Sequence, residues 1–522
     1  MSRVHPLATA HQSLPRARPA AGLAVRAPAL ILPALYALAV VLLLASRVRE
    51  FADESDNLLG GYLIARGERL YADYFSNHMP LPYYLAAIPS LLGASRIEHF
   101  RAFTDALLIA TTLGLAWGLM YRRGLGWTLA AGWASLTVFA HTVQWGEMLH
   151  AGTCAGFGLL AAGVLFYTTP GLRFSGREQV GLAAAAFVAL QSELLSIYPL
   201  GLLAACYVLR RPSPRHALRL ASQVVVPHVL VLLGFAAVGA LGAFVYDAYQ
   251  FNQTYYARFV MNGSILGMLH DWEAQYRTYL VASLLNPLGL EGCLVLGNLL
   301  ATLLTYRTRG PAVALAYFVF ISLTRVRNGG PYYLASYFSL ALVLAWAIGS
   351  LGGGVRGGPS RLLLGSLAAL GLVAAFVFQV ARTYDFSNTP AYAAPEQAVL
   401  QAITSPTERI FVAPYDPYLY LASGRLPVST YEFYFPWQAA DPRSDSQIMD
   451  ELRQRRPAAV VFRQDDLVNG QYLTRDWAGQ LEQLLQDERY SAVDAAVADV
   501  FVPAERLPDA RARLRAAGLL PE

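Results

Sequence analysis

The chain contains no lysine, so all 40 of its basic residues are arginine. Its glycine-rich stretch from Gly352 to Gly358 therefore lacks the Lys-Ser/Thr end of a phosphate-binding loop. No strand–loop–helix pattern surrounds it either, and it reads as a linker. Cysteine is almost as scarce. Cys154, Cys206 and Cys293 all fall in apolar runs, which argues against a disulfide framework or a zinc site and leaves buried small residues. Charge is the third shortage. Only 14% of the 522 residues are charged while 55% are hydrophobic, and the mean hydropathy is +0.38. That composition belongs to a polytopic membrane protein rather than a soluble one. The net charge of +5 is small for this length. Because the arginines concentrate in short loops, the basic surplus reports membrane topology and gives no case for nucleic-acid binding. No internal repeat of fixed period is visible.

A crossing needs about 20 apolar residues, fewer where a helix is short or broken. Residues 1–28 carry Arg3, Arg16, Arg18 and Arg26 ahead of an apolar run from Ala29 to Ser46, the pattern of a cytoplasmic tail and an uncleaved signal anchor. Further apolar runs cover 101–121, 127–143, 151–168, 180–194, 196–209, 221–245, 280–305, 311–324, 331–350 and 361–381. The run 81–94 is too short to cross and fits a helix at the interface. With the N-terminus inside, Arg122, Arg123, Arg173, Arg177, Arg210, Arg211, Arg215, Arg219, Arg307, Arg309, Arg356 and Arg361 all fall on the cytoplasmic side. The short loops 141–150 and around 195 then lie outside and hold none. This positive-inside count predicts a polytopic α-helical membrane protein of about eleven spans, N-terminus in and C-terminus out.

The membrane part then extends over 29–383, with outer segments at 48–100, 141–150, 246–279 and 325–330. Gln191, Ser192 and Glu193 interrupt two short runs, as in broken helices that line a polar cavity. From 384 to 522 the composition becomes that of a soluble domain of about 135 residues, a common domain size. Ile410–Ala413 and Ala458–Phe462 read as buried parallel strands, Asp450–Arg456 and Trp477–Asp487 as helices, and Ser491–Val502 as a strand pair. The expectation is a small extracytoplasmic α/β domain with no catalytic group of its own.

The first outer segment holds the chemistry. Asp53, Glu54 and Asp56 crowd into one turn, followed by Arg66-Gly67, then Leu70-Tyr71-Ala72-Asp73-Tyr74, then His78-Met79-Pro80 before the aromatic pair Tyr83-Tyr84. Clustered acids beside a bilayer are expensive to desolvate and mark a site. This order and spacing resemble the first outer loop of the GT-C glycosyltransferases that use polyprenyl-phosphate sugars, in particular the protein O-mannosyltransferase and aminoarabinose-transferase branch. The resemblance implies that Asp53 is the general base, with Glu54 as its catalytic partner, orienting the acceptor or keeping Asp53 ionised through a network. Asp56, Asp73 and His78 would contact substrate. The family places a second acid on the next outer loop, where Glu147 is the only carboxylate here. It also places phosphate-binding basic groups late in the chain, where Arg325 and Arg327 stand beside Tyr332 and Tyr333. His78 departs from the pattern, because family members often carry lysine there. Asp53 and Glu147 are the residues that would hold a divalent cation, Mg or Mn, if one takes part. The tyrosine-, asparagine- and glutamine-rich loop 246–279 suits either sugar recognition or an interfacial aromatic belt.

Each of these residues also has a structural reading. Asp53 could cap a helix, Asp73 could staple its loop, Glu147 could simply face water, and Arg325 and Arg327 could anchor a helix end. His141 and His150 flank Glu147 and read as satisfied structural groups. The implied function is transfer of a sugar from a polyprenyl-phosphate carrier to a lipid, glycan or protein acceptor outside the cytoplasm of a bacterial cell, at the inner membrane. The competing functions are a transporter or lipid flippase with an outer domain, and a non-catalytic envelope-assembly protein of the same fold. Transporters usually show inverted repeats and mid-membrane ionisable pairs, neither of which is visible here.

Overall fold

The computed structural model describes residues 52–123, 148–169, 172–260, 311–323, 392, 394–494 and 499–520, with isolated positions between 277 and 306. The predicted runs 29–47, 127–143, 331–350 and 361–381, most of 280–305, and the residues His141, Glu147, Arg325 and Arg327 lie outside the described residues.

The acid-rich turn opens helix α1 (Ala52–Ile64), with Asp53 and Glu54 in its first turn. Carboxylates there meet the positive end of the helix dipole. Gly67, at φ +93°, lets the chain turn back. The loop is then pinned by Arg69 and Asp73 before α2 (Leu81–Leu91), which has Pro80 at its N-cap and Pro82 in its first turn. Helices α1 and α2 approach closely. A Cβ at Gly61 would lie 2.4 Å from the Ala86 Cβ and 2.5 Å from its carbonyl carbon, so glycine is what permits this contact. The opposite face of α2 leaves Tyr84, Ile88, Leu91 and Leu92 exposed. An eleven-residue helix spans about 16 Å, roughly half of a hydrocarbon core. With one apolar face uncovered, α2 has the shape of an interfacial helix.

The helices α3 (Ile97–Arg123), α4 (Ala151–Thr168), α5 (Gly176–Ser192), α6 (Ile197–Leu209) and α7 (Pro214–Ala237) follow. Predicted spans at 101–121, 151–168, 180–194 and 196–209 fall within α3, α4, α5 and α6, allowing for a residue or two at the ends. The break expected near Gln191 is a single 3-10 turn, Leu194–Ser196, between α5 and α6. Gln191 Nε2 lies 2.7 Å from His228 Nδ1 of α7. Helices α4 and α5 pack through Gly158, whose Cβ would meet the Ala185 carbonyl oxygen at 2.5 Å and the Ala189 nitrogen at 2.6 Å. The run expected at 221–245 is divided. Helix α7 starts earlier, with proline in its first turn, and ends where Gly239 takes φ +74°. Among the described residues α7 is the one helix long and apolar enough to cross a membrane, while Ala151–Phe166, Leu194–Leu209 and Pro311–Phe320 are shorter apolar stretches.

Beyond Gly239 lie α8 (Leu241–Val245), a π-helical segment (Tyr246–Tyr256) and α9 (Ala257–Val260). The first part of the expected loop 246–279 is therefore helical. Its aromatic side chains explain the difference. Phe251 is buried, and Tyr246, Tyr255, Tyr256 and Phe259 pack against the aromatic core of the C-terminal domain. Tertiary packing here outweighs the loop-like composition. Helix α10 (Pro311–Leu323) joins a small core with α4, α5 and α6 through Tyr317 and Phe320.

The C-terminal domain runs α11 (Pro395–Ile403), β1 (Arg409–Ala413), α12 (Pro417–Ser423), β2 (Leu426–Pro427), α13 (Pro436–Ala439), α14 (Pro442–Arg455), β3 (Ala459–Phe462), β4 (Leu467–Val468), β5 (Tyr472–Leu473), α15 (Gly479–Asp487), β6 (Tyr490–Ala492), β7 (Val500–Pro503) and α16 (Leu507–Ala516). The main sheet has the order β2-β1-β3-β7-β6. Strands β1 and β3 are parallel, with Ile410 opposite Ala459 and Ala413 opposite Phe462. Strand β7 is antiparallel to both β3 and β6. Ile410, Val412, Ala459 and Val461 face one core, while Phe411, Ala413, Val460 and Phe462 face another. Layers on both faces explain the uninterrupted apolar runs seen in the sequence. The first core also contains Leu58, Leu59 and Leu63 of α1. The C-terminal domain is thus seated directly on the acid-bearing helix through α12, and Tyr418 Oη accepts the Ile97 N–H at 2.8 Å.

Candidate active site

One helical turn carries three acids, and their surroundings divide them. Glu54 turns toward α3, where Arg101 Nε and Nη2 donate to its two oxygens at 2.9 and 2.6 Å. Both side chains are 0% exposed. A bidentate pair of this kind holds charge out of water only because its geometry is complete. The carboxylate of Glu54 is held in this pair and gives α1 a fixed rotation against α3. The structure therefore gives the Glu54 carboxylate a buried partner on α3, where the resemblance implied a catalytic partner of Asp53.

Asp56 turns the other way. Its carboxylate accepts from Tyr74 Oη at 2.5 Å and from Tyr83 Oη. Ser76 Oγ donates to Tyr83 Oη at 2.6 Å, and the His78 N–H donates to Ser76 Oγ at 3.0 Å. Against Asp56 lies the buried carboxyl of Glu432, from the C-terminal domain. Tyr420 locks that residue in place, donating to the Glu432 carbonyl at 2.8 Å while accepting the Val412 N–H at 2.9 Å. Two carboxyls this close and this buried do not both ionise. Burial raises Asp56 above the ordinary carboxylate range, opposed by the charge of His78 and by the two tyrosine donors. Burial and the Asp56 charge raise Glu432 much further. Both carboxyls are thus shifted toward the protonated form, Glu432 the more strongly.

Asp53 is left as the half-buried member of the three, while Glu54 and Asp56 are 0% and 3% exposed. Its backbone is fixed by Asn57, whose Nδ2 donates to the carbonyls of both Asp53, at 2.7 Å, and Leu149, at 3.2 Å. This side chain ties the first turn of α1 to the segment leading into α4. His150 caps α4, its Nδ1 accepting from the Gly152 and Thr153 N–H groups at 2.9 and 3.4 Å. A ring nitrogen that accepts backbone donors carries no proton, so the hydrogen-bond pattern puts the imidazole proton on Nε2. Burial lowers the His150 pKa to about 4, with the Asp53 charge opposing and that of His78 adding to the effect. The Asp53 and His78 charges thus both act on His150, which is a neutral N–H donor at physiological pH.

By sequence, no protein family and no curated protein matches the chain. Its shape does have counterparts. ArnT from Cupriavidus metallidurans in the apo state superposes with a TM-score of 0.58 at 13% identity, over 92% of this chain and 98% of that one. The structure of the same protein bound to undecaprenyl phosphate gives 0.56 at 14% identity with the same coverage. The fold is GT-C. The likeness runs through both the helical part and the C-terminal domain, as coverage of nearly the whole chain requires.

Within this fold the remaining predicted residues separate. Asp73 is bound by Arg69, whose Nη2, Nε and backbone N–H reach its carboxylate at 2.7, 2.8 and 2.9 Å. These bonds hold its pKa below the ordinary value. Arg69 Nη1 also donates to the Val238 carbonyl at 3.1 Å, so the pair staples the loop to the end of α7. Of the two readings open for Asp73, the staple is the one its contacts describe. His78 is half-buried, close enough to act on both Asp56 and His150, and its carbonyl accepts from Tyr71 Oη at 2.7 Å. Glu147, Arg325 and Arg327 lie outside the described residues, as does any Asp53–Glu147 cation site. Among the described residues no three His, Cys, Asp or Glu side chains converge on a point that would hold a metal ion.

Three residues around this site were not singled out from sequence for the parts they take: Arg101, Asn57 and Glu432. Arg101 had a signal, since an arginine opening a membrane-length run needs a buried partner. Glu432 sits in the run Tyr431–Phe435, where an acid among aromatics was the available hint.

Proposed function

We propose that the chain is a membrane glycosyltransferase that moves a sugar from a polyprenyl-phosphate carrier to a hydroxyl acceptor outside the cytoplasm, with Asp53 as general base. The observation that carries this reading is the division of the three acids. Glu54 and Asp56 are buried and fully engaged, and Asp53 alone keeps access to solvent. The GT-C fold and the undecaprenyl phosphate bound by ArnT support the donor class.

The reaction is a displacement at the anomeric carbon. The acceptor oxygen attacks it, and the bond from that carbon to the phosphate oxygen breaks with its electron pair. The acceptor proton passes to an Asp53 oxygen. A single displacement inverts the anomeric centre, so one base is enough and no covalent sugar intermediate is needed. Asp53 is aimed by the Glu54–Arg101 pair, by the Asn57 bridge and by the tyrosine-bound Asp56. His150, neutral with its proton on Nε2, places a donor rather than a competing cation beside it. Negative charge grows on the departing carrier phosphate and calls for cations, the role proposed for Arg325 and Arg327 with His78 nearer the base. The arginine distribution supports about eleven spans with Asp53 and the C-terminal domain outside. The proposed location is a bacterial inner membrane.

The test is Asp53→Asn in the purified full-length protein, assayed with a defined polyprenyl-phosphate sugar. Loss of a positioned base lowers transfer by about 100-fold or more with the thermal unfolding midpoint unchanged. Transfer within a few-fold of wild type would discard Asp53 as the base.

A further inference from the structure

The N-terminal ends of β1 and β3 bound an open cavity of about 560 Å³, lined by Arg409, Arg455, Arg456, Arg506, Glu408 and Glu505. Four guanidinium groups in one cavity repel each other and need anions. Yet most of the carboxylates on hand are held off. Arg409 reaches Glu68 only at 3.8 Å, Arg455 reaches Glu451 at 3.7 Å, and Arg456 reaches Glu488 and Glu505 at 3.7 Å. Glu451 is engaged elsewhere, accepting from the Thr430 N–H at 2.6 Å and from Thr430 Oγ1 at 3.0 Å. Only Arg506 holds a close partner, Glu408 at 2.8 Å.

The guanidinium groups are nevertheless positioned. Arg409 Nη1 donates to the Pro427 carbonyl and Arg455 Nη1 to the Val428 carbonyl, both at 2.8 Å. Arg456 Nη2 donates to the Glu488 carbonyl at 3.2 Å and Arg506 Nη2 to the Ile403 carbonyl at 3.3 Å. Each arginine has five N–H donors, and backbone carbonyls take one from each of them. Arg409, Arg455 and Arg456 keep about half their side-chain surface in solvent. Anchored, half-exposed guanidinium forks without close carboxylates form a ready-made oxyanion receptor.

We propose that this cavity binds a phosphate-bearing group of the size of a phosphorylated sugar or a lipid headgroup. Its volume lies within the range of small-ligand sites. It is separate from the proposed transfer centre. Asp53 and Leu63 are ten residues apart along α1, about 15 Å at the helical rise, and Glu68, the partner of Arg409, sits beside that far end with its N–H donating to the Leu63 carbonyl at 3.1 Å. The carrier phosphate leaving at Asp53 therefore cannot be the group held here, and the proposal stands whether or not Asp53 is the base.

The experiment uses the full chain. Glucose 1-phosphate and inorganic phosphate are titrated calorimetrically into detergent-purified protein, and thermal stability is measured in phosphatidylcholine nanodiscs with and without phosphatidic acid. Saturable binding of glucose 1-phosphate identifies a soluble sugar phosphate, and stabilisation confined to phosphatidic acid identifies a lipid headgroup. Either supports the site when Arg409→Gln and Arg455→Gln weaken it about tenfold and Arg489→Gln, outside the cavity lining, does not. Unfolding midpoints equal to wild type in the absence of ligand establish that the variants are folded; if either falls short, Arg456→Gln takes its place. The proposal is overturned if no probe binds, or if folded cavity variants bind as wild type does.

Discussion

Replacing Arg101 by methionine should destabilise the protein by about 3–5 kcal/mol, because the substitution leaves the Glu54 carboxylate buried without its counter-ion. The magnitude follows from the geometry. Two hydrogen bonds of 2.9 and 2.6 Å join the groups, and neither side chain has any exposed surface. Two unit charges about 4 Å apart attract by about 4 kcal/mol at the effective dielectric that suits protein interiors. Solvent cannot supply this once the partner is gone. Glu54→Gln should cost a similar amount, since it strands the arginine instead. The double variant Glu54→Leu/Arg101→Met removes both charges and both desolvation costs, and should recover most of the loss. The assay is tryptophan-fluorescence unfolding of the detergent-purified protein for wild type, both singles and the double. Single variants within about 1 kcal/mol of wild type, or a double variant as unstable as the two losses added together, would refute the claim that the two buried charges are coupled. The same set separates positioning from chemistry. If Glu54 aims α1, the double variant recovers its fold but transfers more slowly than wild type because the anchor is gone, whereas Asp53→Asn stays folded and inactive.

Two further predictions concern the groups around Asp53. Burial raises the folded-state pKa of both Asp56 and Glu432, so the unfolded chain is the more ionised at neutral pH. Their contribution is complete below the ordinary carboxylate range and is lost as pH rises through that range toward the raised values. Glu432→Gln, which keeps a donor facing Asp56 but cannot ionise, should raise the unfolding midpoint near pH 7, with the gain shrinking as pH falls toward the ordinary carboxylate range; a gain that grows on acidification contradicts the assignment. At the cap of α4, His150→Asn retains a side-chain acceptor for the Gly152 and Thr153 N–H groups, whereas His150→Ala removes it and should cost about 1 kcal/mol of stability. Equal stability of the two variants in thermal melts would remove His150 from the cap.

What the sequence made legible follows how local each signal is. Strands β1 and β3 announce themselves as short apolar runs, because a parallel pair covered on both faces has no polar face to show. The break between α5 and α6 is visible because Gln191, Ser192 and Glu193 interrupt an apolar pattern. The early start of α14 was written in Asp441 and Pro442, where Asp441 Oδ1 and Oδ2 accept the Arg443 and Ser444 N–H groups, each at 3.2 Å; a sequence expectation beginning at Asp450 missed that cap. Glu432 and the helical form of Tyr246–Val260 were not legible. Their placement depends on contacts between the membrane part and the C-terminal domain, including Phe75 stacked on Tyr431 at 4.6 Å and Tyr246 Oη donating to Asp441 Oδ2 at 2.8 Å. No periodicity within either segment encodes such a partner.

The three acids acquire different fates from helical geometry alone. Successive residues turn by about 100°, so if Asp53 points along one direction, Glu54 points about 100° to one side and Asp56 about 60° to the other. Glu54 finds α3 and Arg101. Asp56 finds Tyr74, Tyr83 and Glu432. The two outer acids therefore act as opposed anchors that fix the rotation of α1 about its own axis, and the sector between them belongs to Asp53. Removing either anchor alone frees the helix to rotate toward the other, which moves the Asp53 carboxylate without touching it. A carboxylate needs to be within hydrogen-bond reach of the proton it takes, so under the proposed function the crowding of acids into one turn is one base and the two fastenings that aim it.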